Sequence, residues 1–370
     1  MGHAKQSRVA IIGAGIFGVS CALELAKEND VVVFEQQADI MSVGTKGNQY
    51  RHHYGFHYPR SKETVVQCKA AESDFRGLWR EAIIEGIPAF YAVAKNGSKV
   101  TAPEFLDFCD QMNLVYKQAY PEKKLLNRDS VSLCIETTEP VYDSEKMRKM
   151  GYDMIAQKST IDLRLASAIV GGSVDQTSGK KRLQVRSNKN DTFEEFDFVV
   201  NATYANHNLF RGWFGFPTID LEFRLKELPI IRLPKMSPAA VTIMDGPFVT
   251  IVPVGHSGLY TLGDVPRSII EVSHSWGGIP WTAKYMNAIS SRFSEMKIAD
   301  EYFIPIIAEA EYVRSMFSVL PVLPDRLETD ERLTAVTYHG SGCWSVLEGK
   351  IVTCVTAAKQ IVRELALEHP

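Results

Sequence analysis

Gly13-Ala14-Gly15-Ile16-Phe17-Gly18 spells GxGxxG between a β-branched apolar run at 8–12 and a proline-free, alanine-rich stretch at 16–27 that carries Phe17, Cys21, Leu23 and Leu25. Strand, glycine turn and helix in that order leave few alternatives to a dinucleotide-binding βαβ unit. The first glycine permits the tight turn, the second lets backbone approach a pyrophosphate, and the third lets helix and strand pack closely. The helix start at Ala14, Ile16 and Phe17 offers unpaired N–H groups and the positive end of a dipole to a diphosphate anion. A second apolar run at 31–34 reads as a parallel strand buried on both faces, and it ends at Glu35 with Gln36 beside it. The Glu35 carboxylate is placed to accept hydrogen bonds from an adenosine ribose.

After Glu35 the chain leaves the strand–helix alternation of a nicotinamide dehydrogenase for a polar, histidine-rich segment, which favours a flavin dinucleotide. No second GxGxxG marks an NAD(P)H site, and no CxxxxC redox pair is present. The 41 basic and 44 acidic residues give a net charge of −3, so no nucleic acid or anionic membrane is indicated. Six cysteines without zinc-ligand spacing imply reduced thiols, a cytoplasmic protein and no metal site. No apolar run approaches the roughly 18 to 20 residues of a membrane span, and the N-terminus runs straight into a strand without a signal sequence.

Further along, helices are expected at 61–84, 103–112 and 144–157, the last capped by Asp143 or Ser144. Asn96-Gly97 suggests a hairpin between 91–94 and 99–101. Strands are expected at 160–170, 182–187, 196–202 and 333–338, with a largely antiparallel sheet from about 221 to 265. The segments 281–296 and 304 onward read as mostly helical, and 346–367 as a C-terminal helix. Dinucleotide-type pieces at the start, middle and end imply an α/β fold, α+β overall, with one domain inserted in another. The expected division is 1–58, 144–204 and 312–370 for the dinucleotide domain, and 59–143 and 205–311 for a substrate domain.

Three more segments join the fingerprint. GTKGNQYRHHYGFHYPRS at 44–61, EFDFVVNATYAN at 195–206 and YHGSGCWSVLEGKIVTCV at 338–355, in this order, resemble FAD-dependent oxidoreductases of the D-amino-acid oxidase, sarcosine oxidase and 2-hydroxyglutarate oxidase superfamily. The resemblance implies a Rossmann-like FAD domain interleaved with a substrate domain whose antiparallel sheet covers one flavin face. It implies FAD and hydride transfer from a carbon bearing an amine or hydroxyl to flavin N5; some relatives link the flavin covalently to a cysteine, but Cys343 reads as a small buried residue, so FAD is expected to be non-covalent. By position, Thr45, Lys46, Asn48 and Gln49 run along pyrophosphate and flavin, Ile169 touches the adenine, and Ala202 and Thr203 lie near the adenosine. Gly340, Gly342, Cys343, Trp344, Ser345 and Val346 are expected to present N–H groups from a helix start to the flavin pyrimidine.

Candidate chemistry concentrates in the segment holding Arg51, His52, His53, His57, Tyr58 and Arg60. An arginine fork holds a carboxylate, and a histidine or tyrosine orients the substrate or takes its proton. Anchoring on Tyr54-Gly55, the resemblance assigns the carboxylate to Arg51 and the like histidine to His53, with His57, Tyr58 and His339 as further catalytic candidates. Alternation along the segment sends about half of these groups away from the flavin, and Arg60 reads as a surface cation. The lysine that sarcosine oxidases carry after the histidine–glycine pair is replaced by Ser341 and Gly342, and Lys350 lies farther along. The expected function is an FAD oxidase or dehydrogenase acting on a small carboxylate-bearing amine or 2-hydroxy acid, with oxygen, a quinone or a protein as electron acceptor. An NAD(P)H-dependent flavin monooxygenase and a non-catalytic flavin-binding protein are the alternatives.

Overall fold

In the computed structural model, which describes residues 6–188, 190–275 and 277–368, the fingerprint strand Arg8–Ile12 (β1) lies inside a six-stranded sheet. The order is Ala335–Tyr338, Cys343–Leu347, Phe198–Asn201, β1, Asp30–Phe34 (β2) and Ile161–Arg164, all parallel except the first. Alternation along β1 and β2 divides their side chains between two cores. Val9, Ile11, Val31 and Val33 join the helix Ile16–Leu25 (α1) and the C-terminal helix Cys354–Glu368 on one face. Ala10, Ile12, Val32 and Phe34 meet Ile169, Leu183, Val185 and Phe196 of a three-stranded sheet on the other. Two covered faces are why both strands are apolar throughout.

The second large sheet has nine strands and is antiparallel except where Ala240–Met244 runs beside Ala89–Ala94. Its long strand Glu222–Arg232 carries Ile269–His274 and Leu259–Asp264 on one side and Glu311–Val322 on the other. The segment from 304 onward is thus strand and not helix. Pairing with Glu222–Arg232 along nearly its full length overrides the local helical preference. The expected domain boundary at 312 falls one residue inside this strand, which belongs to the nine-stranded sheet.

Other expectations need revision. The helix Lys62–Trp79 stops early, and Ile83–Ile84 pairs with Val141–Tyr142. The 91–94/99–101 hairpin does not form. Gly97 does turn the chain, with φ +78°, but Ala89–Ala94 pairs with Val131–Thr137, the Lys99 N–H donates to the Asp245 carbonyl, and Thr101 caps the next helix in a reciprocal box with Glu104. Residues 160–170 divide into Ile161–Arg164 and Ser167–Val174 around exposed Ala166, which turns at φ +49°. The left-handed region disfavours a β-carbon, so Ala166→Gly should raise unfolding stability by roughly 0.5 to 1 kcal/mol in a denaturant titration. An unchanged midpoint would show that the turn costs nothing.

Candidate active site

Along the C-terminal edge of the parallel strands lies a cavity of about 810 Å³, large for a small-molecule site. Gly13 turns at φ +101°, and a β-carbon there would overlap the Ala202 carbonyl; one at Gly18 would overlap the Gly13 carbonyl. These two glycines let the turn and α1 pack closely. Gly15 differs, since it lines the cavity and an added β-carbon would meet only the Thr45 hydroxyl. The N–H groups of Gly15, Phe17 and Gly18 find no acceptor among the described residues, while Ile16 N–H donates to Thr45 Oγ1 at 3.0 Å. Open donors at a helix N-terminus suit a diphosphate.

Glu35 is held by N–H donors from Ala14 and Gln37, each at 2.8 Å, and lines the same cavity. Burial raises its pKa against the lowering effect of those amides. Gln36, Thr45, Lys46, Ile169, Ala202 and Thr203 line it as well. Ala14, Ile16, Phe17 and Gly18 shape the turn without lining the void. Asn48 folds the loop instead, its amide donating to the Thr45 carbonyl and its oxygen accepting from Tyr50 N–H at 2.6 Å. Sequence reasoning missed the 41–44 turn, Tyr204, the wall at 316–319 and Glu348, all of which line the cavity. Residues 316–319 had been read as helix, which hid them.

The helix-start reading of 340–346 is corrected. Cys343–Leu347 is a buried strand hydrogen-bonded between Phe198–Asn201 and Ala335–Tyr338, and the helix begins only at Cys354. Gly340, Gly342, Cys343, Trp344, Ser345 and Val346 are absent from the cavity lining, and the chain reaches it at Glu348. The Cys343 thiol is buried, with its pKa pushed up to about 12, and so is unreactive. His339 also lies elsewhere. It stacks on Phe216 at 4.5 Å and bonds the Ser345 hydroxyl at 2.9 Å, and burial lowers its pKa to about 4. His339→Ala is therefore expected to leave the rate of flavin reduction within about twofold, since it removes no contact with the cavity. A loss of tenfold or more in stopped-flow reduction, with normal FAD content, would return His339 to the site.

Arg51, His53, His57 and Tyr58 come together in a cluster of their own, and none of them is among the residues that line the cavity. Arg51 is buried, and its guanidinium donates to Thr250 Oγ1 at 2.7 Å, Gln49 Oε1 at 3.3 Å, His57 Nδ1 at 3.2 Å and the Tyr91 hydroxyl at 3.4 Å. Its Nε has no partner. Because guanidinium has only donors, His57 Nδ1 must accept, which places the imidazole proton on Nε2. Burial first, and then the neighbouring cations, hold His53 and His57 well below the usual imidazole range, so both rings are neutral. Tyr91 donates to Glu139, a buried carboxyl that also accepts from Tyr54 N–H and offsets the Arg51 charge. His52 alternates to the other side, into a core network with Tyr142 and Glu72. Arg60 is no surface cation, since it packs largely buried against Asp245.

Lys350 completes the cluster. Its ammonium bonds the Tyr58 hydroxyl and lies 4.2 Å from that ring centre, and burial followed by repulsion from Arg51 lowers its pKa to about 7. Lys226 stands near His57 and Arg51, with a pKa lowered to about 8 chiefly by burial. Neither lysine makes an ion pair with a carboxylate among the described residues. Lys350 reaches this cluster from the loop before the last helix. A second depression of about 490 Å³ near Leu23 and Asp74 holds two surface ion pairs, Lys27–Glu24 and Lys359–Asp74. No cluster of metal-ligating side chains occurs among the described residues.

The chain matches the family model of the FAD dependent oxidoreductases named DAO over residues 8–137. It is 26% identical over 392 residues to FAD-dependent monooxygenase kojA of Aspergillus flavus, a match covering 97% of this chain and 86% of that protein. FAD-dependent monooxygenase FPY4 of Fusarium mangiferae is 25% identical over 378 residues, covering 98% and 92%. Among solved structures, glycine oxidase from Geobacillus kaustophilus superposes with a TM-score of 0.73 at 14% identity, covering 99% of this chain and 96% of that one. L-alpha-glycerophosphate oxidase from Mycoplasma pneumoniae, with FAD bound, gives a TM-score of 0.74 at 11% identity, covering 98% and 95%.

Proposed function

We propose that the chain is an FAD-dependent oxidoreductase of the D-amino-acid-oxidase-like superfamily, which its family-model match and its fold support, and that it oxidises a small anionic substrate, a carboxylate-bearing amine or 2-hydroxy acid. The observation that carries this reading is the buried guanidinium of Arg51 with an unpartnered Nε, set among Lys226, Lys350 and two neutral imidazoles. Glu139 offsets one of these charges, and the positive charge left buried beside it is costly until an anion enters. FAD, held non-covalently through the α1 N-terminus and Glu35, supplies the acceptor of the hydride.

The remaining chemistry belongs to side chains. Arg51 and the Nε2–H of His57 bind and orient the anionic end. Tyr58 accepts the proton leaving the substrate amine or hydroxyl as its own O–H proton passes to Lys350, an amine with a substantial neutral fraction near pH 7. His53, with its buried Nδ1 unpartnered, presents a second neutral acceptor beside them. An anaerobic screen of amino and hydroxy acids tests the proposal, with bleaching of the flavin absorbance by a carboxylate substrate as the expected result. Failure of every anionic compound, with bleaching by neutral ones, would overturn it.

A second reading follows from the relatives, whose names make them FAD-dependent monooxygenases. It requires an external reductant, and NADPH consumption coupled to oxygen uptake would favour it over the oxidase or dehydrogenase reading. Electron transfer onward to oxygen, a quinone or a protein is read from reoxidation of the bleached flavin by each acceptor in turn.

A further inference from the structure

Glu348 lies in the cavity wall where neither of its oxygens meets a hydrogen-bond donor among the described residues, and Oε1 is sealed from solvent. Its place in the sheet says which part of the cofactor it faces. The strands Cys343–Leu347, Phe198–Asn201, β1 and β2 run parallel side by side, so their C-terminal ends present Glu348, Thr203-Tyr204, the Gly13 turn and Glu35 in that order. Glu35 and the α1 N-terminus mark the adenosine diphosphate half. Glu348 stands three strand spacings from Glu35, about 14 Å along the edge, on the side where the rest of FAD must extend.

The surroundings of Glu348 decide its protonation. Tyr204 from the turn after Phe198–Asn201, Cys21 from α1 and Cys354 from the last helix face it. Burial raises the pKa of all three, so each is neutral and none can compensate a carboxylate. Arg332 is felt at Tyr204, and Lys350, two residues on, is turned to Tyr58; neither pairs with Glu348. An ionised, unpaired carboxylate in such a place is strongly disfavoured. The neutral acid has an O–H donor, and no hydrogen-bond partner meets it among the described residues.

We propose that Glu348 binds the flavin half of FAD as a carboxylic acid, donating a hydrogen bond to one of its ring acceptors, and that this proton couples cofactor affinity and reduction potential to pH. Neutral O–H stabilises negative charge arriving on those acceptors, whereas a carboxylate opposes it. Burial holds the Glu348 pKa at about 8, so the donor persists below that pH and is lost above it. The inference rests on FAD as cofactor and is independent of the substrate class.

The test compares wild-type holoenzyme with Glu348→Gln and Glu348→Leu, following FAD release by fluorescence and the flavin potential by spectroelectrochemical titration from pH 6 to 9.5. Wild type is expected to hold FAD evenly up to about pH 7.5, then to bind it about tenfold more weakly by pH 9, with the potential falling more steeply over the same window than the flavin's own proton uptake dictates. Glu348→Gln keeps a donor without a titrating proton, so its FAD affinity should stay flat with pH, its potential should follow only the slope of the flavin's own proton uptake, and both should match wild type at pH 7. Glu348→Leu should bind FAD about five- to tenfold more weakly at pH 7. Identical pH profiles for wild type and Glu348→Gln, or Glu348→Leu with wild-type affinity, would overturn the assignment. Retention of FAD by wild type at pH 7 is a separate readout, which tests the cofactor reading itself.

Discussion

Gly15→Val should purify as a folded, colourless protein whose affinity for FAD is at least about 100-fold below wild type, a difference of about 2.7 kcal/mol. The choice of glycine matters. At Gly13 and Gly18 a β-carbon would overlap the backbone of residues 202 and 13, and Gly13 also needs φ +101°, so those variants confuse cofactor loss with a damaged fold. Gly15 has φ −64° and ψ 176°, which any residue adopts, and its new β-carbon would touch only Thr45 Oγ1 at 3.5 Å. The isopropyl group then occupies the space where the pyrophosphate meets the free N–H groups of Gly15, Phe17 and Gly18. Thermal unfolding of apo Gly15→Val should fall within a few degrees of apo wild type, and FAD should no longer raise it. Wild-type FAD content in this variant would show that the diphosphate does not approach this turn.

The first 35 residues were legible because backbone geometry itself dictates their residue types. A strand buried on both faces must be apolar, and a helix that closes on a neighbouring turn must have glycine at Gly13 and Gly18. The segment proposed for catalysis was legible as a density of functional groups, and the alternation that sends His52 to Tyr142 while Arg51 meets Thr250 follows from extended backbone. What escaped the sequence was decided by partners distant along the chain. Glu311–Val322 is a strand because Glu222–Arg232 offers it a ladder, and Cys343–Leu347 is a strand because it slots beside Phe198–Asn201. That second misreading moved the end of the cofactor cavity from residues 340–346 to Glu348. It also set Lys350 aside as lying too far along, although its ammonium reaches Tyr58 across 292 positions of sequence. No local pattern distinguishes such a lysine from an ordinary surface one.

Arg51 and Lys350 should separate when the substrate is varied in pH, because one group carries a permanent charge and the other titrates. Arg51→Met deletes the fork while keeping part of the apolar stem, and it leaves Glu139 buried beside Tyr91 without its cation. Charge-assisted hydrogen bonds contribute roughly 1.5 to 3 kcal/mol each. The kcat/KM for a carboxylate substrate should therefore fall by about 100-fold or more, mostly through KM, with FAD content unchanged. The loss should be the same at every pH, since guanidinium stays charged throughout. Lys350 behaves otherwise. Its pKa is lowered to about 7, so the ammonium predominates below that pH and the amine above it. If the amine receives the proton through Tyr58, the rate of flavin reduction rises with pH through about 7 and then levels off, while KM changes little. Lys350→Met should lower that rate by about tenfold or more and abolish the step. Stopped-flow reduction of the two variants across pH 5.5 to 9 distinguishes the roles. A pH step that survives in Lys350→Met would show that Lys350 is not the group that titrates, and an Arg51→Met variant with unaltered KM would remove the anion from this cluster altogether.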